Sequence, residues 1–283
     1  MITDFEAARR ELSAKELFVF DMDGTIYLGE RVFDDARRFI LRLRESGRRV
    51  LFFTNNASRS VGVYYDRLRK MGFEPRDGEV MTSGDVTAEY LTAHFPDASV
   101  YALGTPDLLR SLRDRGVRII CGDDGSVGDF GGVPDIVLTS FDTTLVYEKV
   151  RLACNYIARG ARFFSTHQDL NCPAEDGFLP DSGAICAMIT ASTGVEPTYF
   201  GKPTAVCAET IAAACGVAKE RIVMLGDRLY TDIATARRAG MTSVLMMTGE
   251  TTEQMLCADL PDEQRADIIA PDMAWVERAA GLA

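Results

Sequence analysis

The chain has 283 residues, 47% of them hydrophobic and 26% charged, which excludes a disordered polymer and leaves room for two domains of about 100–200 residues each. Its formal net charge of −11 repels polyphosphate backbones and so disfavours a nucleic-acid partner. A small phosphate ester would need positive charge concentrated locally, for example by a metal ion.

Short apolar runs alternate with longer helical patterns, predicting an α/β fold with a mostly parallel sheet. Leu17-Phe18-Val19-Phe20 stops abruptly at Asp21. After a glycine-bearing loop, Ala36, Phe39, Ile40 and Leu43 fall at helical spacing, and Gly47 is placed to end that helix. A second buried strand over 50–53 stops at Thr54-Asn55-Asn56, and a helix is predicted from 58 to 71. The middle of the chain predicts strands at 100–103, 117–120, 135–138 and 162–164, with helices at 106–115 and 145–159. Its glycine- and aspartate-rich stretch before Pro134 reads as a flexible loop. Beyond it come a helix over 204–215, a strand over 222–225 leading into Gly226-Asp227, and a helix over 232–239. A strand over 243–247, a short strand at 268–269 and a helix over 272–280 follow. The expected division is a core of 1–83 plus 199–283 and an inserted domain of 84–198. Hinges are expected at Thr82-Ser83-Gly84 and Tyr199-Phe200-Gly201.

Seven cysteines are scattered without a CxxC pair, so reduced thiols in a cytoplasm fit better than disulfides. The N-terminal segment lacks the apolar core of a secretion signal, and no apolar run reaches the ~18 residues of a membrane helix. A soluble cytoplasmic protein with no membrane partner is expected.

Polar clusters sit immediately after apolar strands: Asp21-Met22-Asp23-Gly24-Thr25, Thr54-Asn55-Asn56, and Gly226-Asp227 with Asp232. Open parallel sheets bind ligands outside the carboxyl ends of their strands, so these clusters should converge on one sheet edge. Asp21 and Asp23 lie on a tight turn, and Asp227 would add a third carboxylate that only a cation can offset. Few, hard oxygen ligands suit Mg²⁺. A calcium EF-hand does not fit, because Gly24 comes too early and no matching glutamate follows.

DMDGT, TNN, GKP and GDRLYTD, in this order, resemble the four motifs of the haloacid dehalogenase superfamily of phosphatases. The large insert between TNN and GKP resembles that of the subgroup with an α/β, type II cap, which includes NagD-like, p-nitrophenyl-phosphatase-like and pyridoxal-phosphate-phosphatase-like enzymes. The resemblance implies a Rossmann-like parallel-sheet core with an inserted α/β cap, and Mg²⁺-dependent hydrolysis of a small-molecule phosphate ester. It implies Asp21 as nucleophile and Asp23 as general acid and base. Gly24, Thr54, Asn55 and Lys202 would surround the phosphate. Asp21, the Asp23 carbonyl and Asp227 would hold the metal, and Asp232 would support the site from its edge. Relatives with this cap often self-associate through it, so a homodimer is implied, although periodicity identifies no interface.

Plainer readings exist for each group. Asp21 and Asp23 could serve as turn aspartates, Thr54-Asn55-Asn56 could cap the next helix, Asp232 could be an N-cap, and Lys202 could be a solvated charge. The segment 166–183 is where cap relatives contact substrate. Here it offers His167, Asp169, Asn171, Glu175, Asp176 and Asp181, against a solvated loop as the plainer reading. A phospho-ligand binding protein with little turnover and a phosphotransferase remain the alternatives to a hydrolase.

Overall fold

The computed structural model describes residues 4–128, 130–174 and 177–282. Glu175 and Asp176 lie outside the described residues. The chain forms two compact units: Met1–Thr54, Tyr64–Met81 and Lys202–Ala283 in one, Asn55–Val63 and Thr82–Gly201 in the other.

The first unit is built on a six-stranded sheet in the order Ile268–Ala270, Thr242–Met246, Ile222–Gly226, Leu17–Phe20, Arg49–Thr54, Val80–Thr82. The first five of these strands run parallel. Counted along the chain this is the doubly wound order 3-2-1-4-5-6, whose reversal point lies between Leu17–Phe20 and Ile222–Gly226. Both of those strands are buried throughout, which is why they read as continuous apolar runs and not as alternation. Helix Asp34–Glu45 lays Ala36, Phe39, Ile40 and Leu43 into the core, as its spacing predicts. The Phe39 ring meets Phe18 and Phe20 edge-on at 5.7 and 6.0 Å, a favoured aromatic geometry.

The second unit carries a five-stranded parallel sheet in the order Thr198–Tyr199, Arg162–Ser165, Ile136–Thr139, Ser99–Leu103, Arg118–Ile119. Helices Ser83–His94, Pro106–Asp114, Tyr147–Ala158 and Ser182–Thr193 accompany it. An antiparallel hairpin pairs Asn171–Ala174 with Gly177–Pro180.

Several elements differ from the sequence reading. The helix expected from 58 begins at Val61, because Asn56 Oδ1 accepts from the amide and hydroxyl of Ser58 and holds the preceding residues in an Asx turn. Helix Ser83–His94 has no counterpart in that reading; it opens within Thr82-Ser83-Gly84, where the chain enters the second unit. Thr82 is its N-cap, and a reciprocal capping box with Asp85 satisfies both backbone amides. The helix expected over 232–239 starts earlier, as a π-helical turn Leu229–Ile233 that continues into Ala234–Ala239. The segment 166–183 is not a solvated loop: it holds a buried histidine, the hairpin, and the start of helix Ser182–Thr193. Cys121, Cys186, Cys207 and Cys215 are free thiols buried as small apolar groups. No helix among the described residues is long and apolar enough to cross a membrane.

Candidate active site

Register brings the polar clusters of the first unit to one level. Phe20 stands opposite both Leu225 and Phe52, and the Asp21 amide donates to the Leu225 carbonyl at 2.8 Å. Asp21 and Asp227 therefore emerge on the two sides of the reversal point, where neighbouring loops diverge and leave a crevice. Thr54, half-buried, ends the adjacent strand.

Lys202 converts this crowd of carboxylates into a defined site. Its Nζ donates to Asp21 Oδ1 at 2.5 Å and to Asp232 Oδ1 at 2.6 Å, and lies 5.4 Å from the Phe53 ring centroid. Lys202 is 3% exposed and Asp232 not at all, so neither is a solvated surface charge. The second Asp232 oxygen accepts from the Arg228 amide at 3.1 Å, which the π turn makes possible by folding Asp232 back towards the strand end. Asp232 thus holds Lys202 from behind instead of capping a helix by itself.

Asp227 is clamped by backbone. Its Oδ2 accepts from the Glu250 amide at 2.6 Å, and Thr251 binds its carbonyl through a 2.5 Å hydroxyl contact. A Cβ on Gly24 would lie 2.4 Å from Asp227 Oδ2, and one on Gly249 would lie 2.0 Å from it. Gly24 also has φ +84, so both conformation and space require glycine there. Thr248 then ties the loops together by donating to the Gly24 carbonyl at 2.7 Å. Thr248, Gly249 and Glu250 were missed by the sequence reading. The Thr-Gly-Glu run after the strand predicted over 243–247 was the available signal, since it too lies at a strand's carboxyl end.

Carboxylate oxygens of Asp21, Asp227 and Asp232 lie within 4.8 Å of one another. Burial first, and then Asp232, push Asp21 up to about 8 and Asp227 up to about 6, and Asp227 adds to the rise at Asp21. Lys202 pulls Asp21 the other way, and its own pKa is raised by the two carboxylates it bridges despite its burial. One lysine does not neutralise three carboxylates. Asp227 Oδ1 is moreover buried without a hydrogen-bond donor, an expensive state for a carboxylate oxygen unless a cation completes it. The donor set is hard oxygen, so the residues present fit a divalent cation such as Mg²⁺.

Asp23 differs from its neighbours in being exposed. The protein around it nevertheless raises its carboxyl pKa by desolvation, against the opposing pull of Arg67, the Gly29 amide and Arg228. The structure thus gathers Asp21, Asp23, Gly24, Thr54, Lys202, Asp227 and Asp232 in the first unit.

Asn55, His167, Asp169 and Asn171 belong to the second unit. There Asn55 Nδ2 donates to both Asp169 oxygens at 3.1 and 3.2 Å. His167 is fully buried, with Nε2 2.9 Å from Asp181 Oδ1 and Nδ1 2.8 Å from Thr166 Oγ1. Among these four, only Asn171, at the start of the hairpin, is exposed.

A haloacid dehalogenase-like hydrolase family model matches residues 18–118, and a second model described as HAD-hydrolase-like matches residues 199–276. The 5'-nucleotidase YutF of Bacillus subtilis is 32% identical over 86% of this chain and 91% of its own length. This chain belongs to the haloacid dehalogenase (HAD) superfamily of hydrolases. An acid sugar phosphatase of Staphylococcus aureus is 34% identical over 83% of this chain and 87% of its own length. The crystal structure of a 4-nitrophenylphosphatase from Thermotoga maritima superposes with a TM-score of 0.85 at 38% identity, covering 95% of this chain and 98% of that one. The neighbours place this HAD hydrolase in the NagD and p-nitrophenylphosphatase group, whose phosphatases need a divalent metal ion.

Proposed function

We propose that this HAD hydrolase removes phosphate from small phosphomonoesters through an aspartyl-phosphate on Asp21, with Mg²⁺ as its metal ion. The observation that carries the reading is the Asp21–Lys202–Asp232 chain beside an Asp227 oxygen left without a donor, all at the sheet's reversal point. Bound Mg²⁺, held by Asp21, Asp227 and the Asp23 carbonyl, would offset charge on phosphate and carboxylates alike. Lys202 favours the ionised form of Asp21 and orients it, and Asp232 keeps Lys202 in place. Asp21 attacks phosphorus as the ester P–O bond breaks, and Asp23 gives its proton to the departing oxygen. Asp23 then takes a proton from the water that releases inorganic phosphate from Asp21. Thr54 and the backbone at Asn55 hold phosphate oxygens while charge builds on them.

The relatives' names support the ester class: nucleotide, sugar phosphate and aryl phosphate all occur among them. For the leaving group we single out Asn171, since His167 and Asp169 are turned to protein partners. Homodimerisation through the inserted unit belongs to the same proposal; Leu170 and Phe178, 60% and 67% exposed there, are apolar surface that a second copy would cover. The free thiols of Cys121, Cys154, Cys186, Cys207, Cys215 and Cys257 favour a reducing, cytoplasmic setting.

The deciding experiment measures phosphate release from nucleotide, sugar, polyol and aryl monoesters with Mg²⁺, with chelator, and with the Asp21→Asn protein. Release that needs both Mg²⁺ and Asp21 supports the reading, and the rate ranking narrows the substrate. Turnover by Asp21→Asn at the native rate would remove Asp21 from the nucleophile's role.

A further inference from the structure

Asp23 is the one exposed carboxylate of the site, and neither Lys202 nor the strand ladder holds its side chain. Its partners come from the small hairpin that pairs Tyr27–Leu28 with Arg31–Val32. Tyr27 bridges back to Asp23, and the Tyr27 carbonyl accepts from the Gly24 amide at 2.7 Å. The turn of the hairpin holds Gly29, with φ +58, a left-handed conformation that glycine adopts without strain.

Arg67 reaches this hairpin from helix Val61–Lys70, which anchors itself through buried Tyr64 and Leu68. The Arg67 Nη2 donates to the Gly29 carbonyl at 3.1 Å, and its guanidinium carbon lies 4.7 Å from the Tyr27 ring centroid. Tyr27 is only 2% exposed, so this face of the arginine stacks on a fixed ring. Arg67 thus holds the hairpin at two points, the Gly29 carbonyl and the Tyr27 ring, and Tyr27 is the residue that bridges to Asp23.

We infer that Arg67 is a positioning residue for Asp23, fixing the Gly29 peptide and the Tyr27 ring so that the Asp23 carboxyl is aimed at the leaving oxygen. The inference rests on the phosphatase reading above. A helix outside the motif-bearing loops thereby controls proton delivery without touching substrate.

The consequence depends on the leaving group. An alkoxide leaves poorly without a proton, whereas p-nitrophenolate is a stable anion that needs none. Misaiming Asp23 should therefore penalise alkyl esters selectively in kcat/KM, which reports the steps through phosphoryl transfer to Asp21. The test measures kcat/KM for glycerol phosphate and p-nitrophenyl phosphate with wild type, Arg67→Met, Arg67→Lys, Asp23→Asn and the Arg67→Met/Asp23→Asn double variant, all with Mg²⁺. The ratio of the two values within one protein is independent of how much of it is folded, so partial misfolding does not blur the result.

Arg67→Met should lower the alkyl-to-aryl ratio by roughly 10-fold or more, approaching the ~10²-fold scale of a lost general acid. Arg67→Lys should recover part of that loss. In the Asp23→Asn background, Arg67→Met should change the ratio less than 2-fold, because the group it positions is gone. An unchanged ratio in Arg67→Met, or an equal further drop in the double variant, would overturn the positioning role while leaving the phosphatase reading intact. A wild-type protein that releases phosphate from neither ester would overturn both together.

Discussion

At the scale of single residues, the site is shaped as much by what is missing as by what is present. Asp227 sits between two glycines that carry no Cβ, so its carboxylate can approach the Asp21 loop and the Glu250 amide at once. Gly249→Ala would bring a methyl to 2.0 Å of Asp227 Oδ2, closer than any contact allows, so the carboxylate must move. Mg²⁺ activation of that variant should shift to at least ~10-fold higher concentration while its far-ultraviolet circular dichroism stays native. An unaltered Mg²⁺ midpoint would show that Asp227 tolerates displacement. Lys202 is the second such residue: with it removed, Asp21 and Asp232 face each other buried and unpaired. Lys202→Met should cost about 3 kcal/mol in urea unfolding at neutral pH, and adding Asp232→Asn should restore part of it. If Lys202→Met left stability unchanged, the lysine would be only a phosphate ligand and not also a structural counter-charge.

At the scale of elements, the two sheets share a fastening that no motif announces. Asp135 precedes strand Ile136–Thr139, and its Oδ2 accepts from the Ser99 amide at 2.8 Å and hydroxyl at 2.7 Å on the neighbouring strand. Asp267 precedes Ile268–Ala270 and binds Ser243 by the same pair of bonds, at 2.9 and 2.8 Å. The Ser99 hydroxyl, then its amide, hold the Asp135 carboxyl below the usual carboxylate range. A depressed folded-state value means the stabilisation is complete above the unfolded pKa of about 3.9 and disappears as pH falls through the folded value. Since Asp135 is solvent-exposed, Asp135→Asn should cost no more than about 1 kcal/mol at pH 7, and the difference from wild type should vanish under acid. Urea unfolding across pH 7 to 3 checks this; a gap that stays constant with pH would mean the charge plays no part.

The same scale explains what could be read in advance. Asp21, Asp227 and Thr54 were legible because buried strands of a doubly wound sheet are unbroken apolar runs, and the first polar residue after each is conspicuous. Helices Ser83–His94 and Ser182–Thr193 were not. The first buries every residue from Ser83 to Ala88, and the second buries Ser182, Gly183, Ile185, Cys186 and Ile189. The first helix is thus buried on every side in its first half, and the second exposes small or apolar residues such as Ala187 and Met188, so neither shows a polar stripe that betrays its period. Arg67 was invisible for a related reason: one arginine among Arg67, Arg69 and Lys70 on a surface helix gives no hint of which one stacks on Tyr27. His167 was legible as a residue of interest but not as a buried one, since Asp181 and Thr166, its partners, gain that meaning only once the hairpin is folded.

For the whole molecule, the division into two units has a thermodynamic consequence. Each unit has its own parallel sheet and its own buried apolar residues, Phe18, Phe20 and Phe52 in one, Tyr101, Val137 and Leu138 in the other. The all-carboxylate group that suits a hard divalent cation, Asp21, Asp227 and Asp232, belongs to the first, whereas His167, Asp169 and Asp181 of the second are engaged in hydrogen bonds with protein groups. A ligand that binds only the folded form of one unit stabilises that unit, by about 2.7 kcal/mol when present at 100 times its dissociation constant. Differential scanning calorimetry should therefore resolve two transitions, with saturating Mg²⁺ raising one by roughly 5–10 °C and leaving the other in place. Asp227→Asn should abolish that rise, and a substitution in the second unit such as Val137→Ala should lower only the unresponsive transition. A single transition that moves as a whole with Mg²⁺ would show instead that the two units unfold as one cooperative body, and that stabilisation of the metal-binding unit is shared by the entire chain.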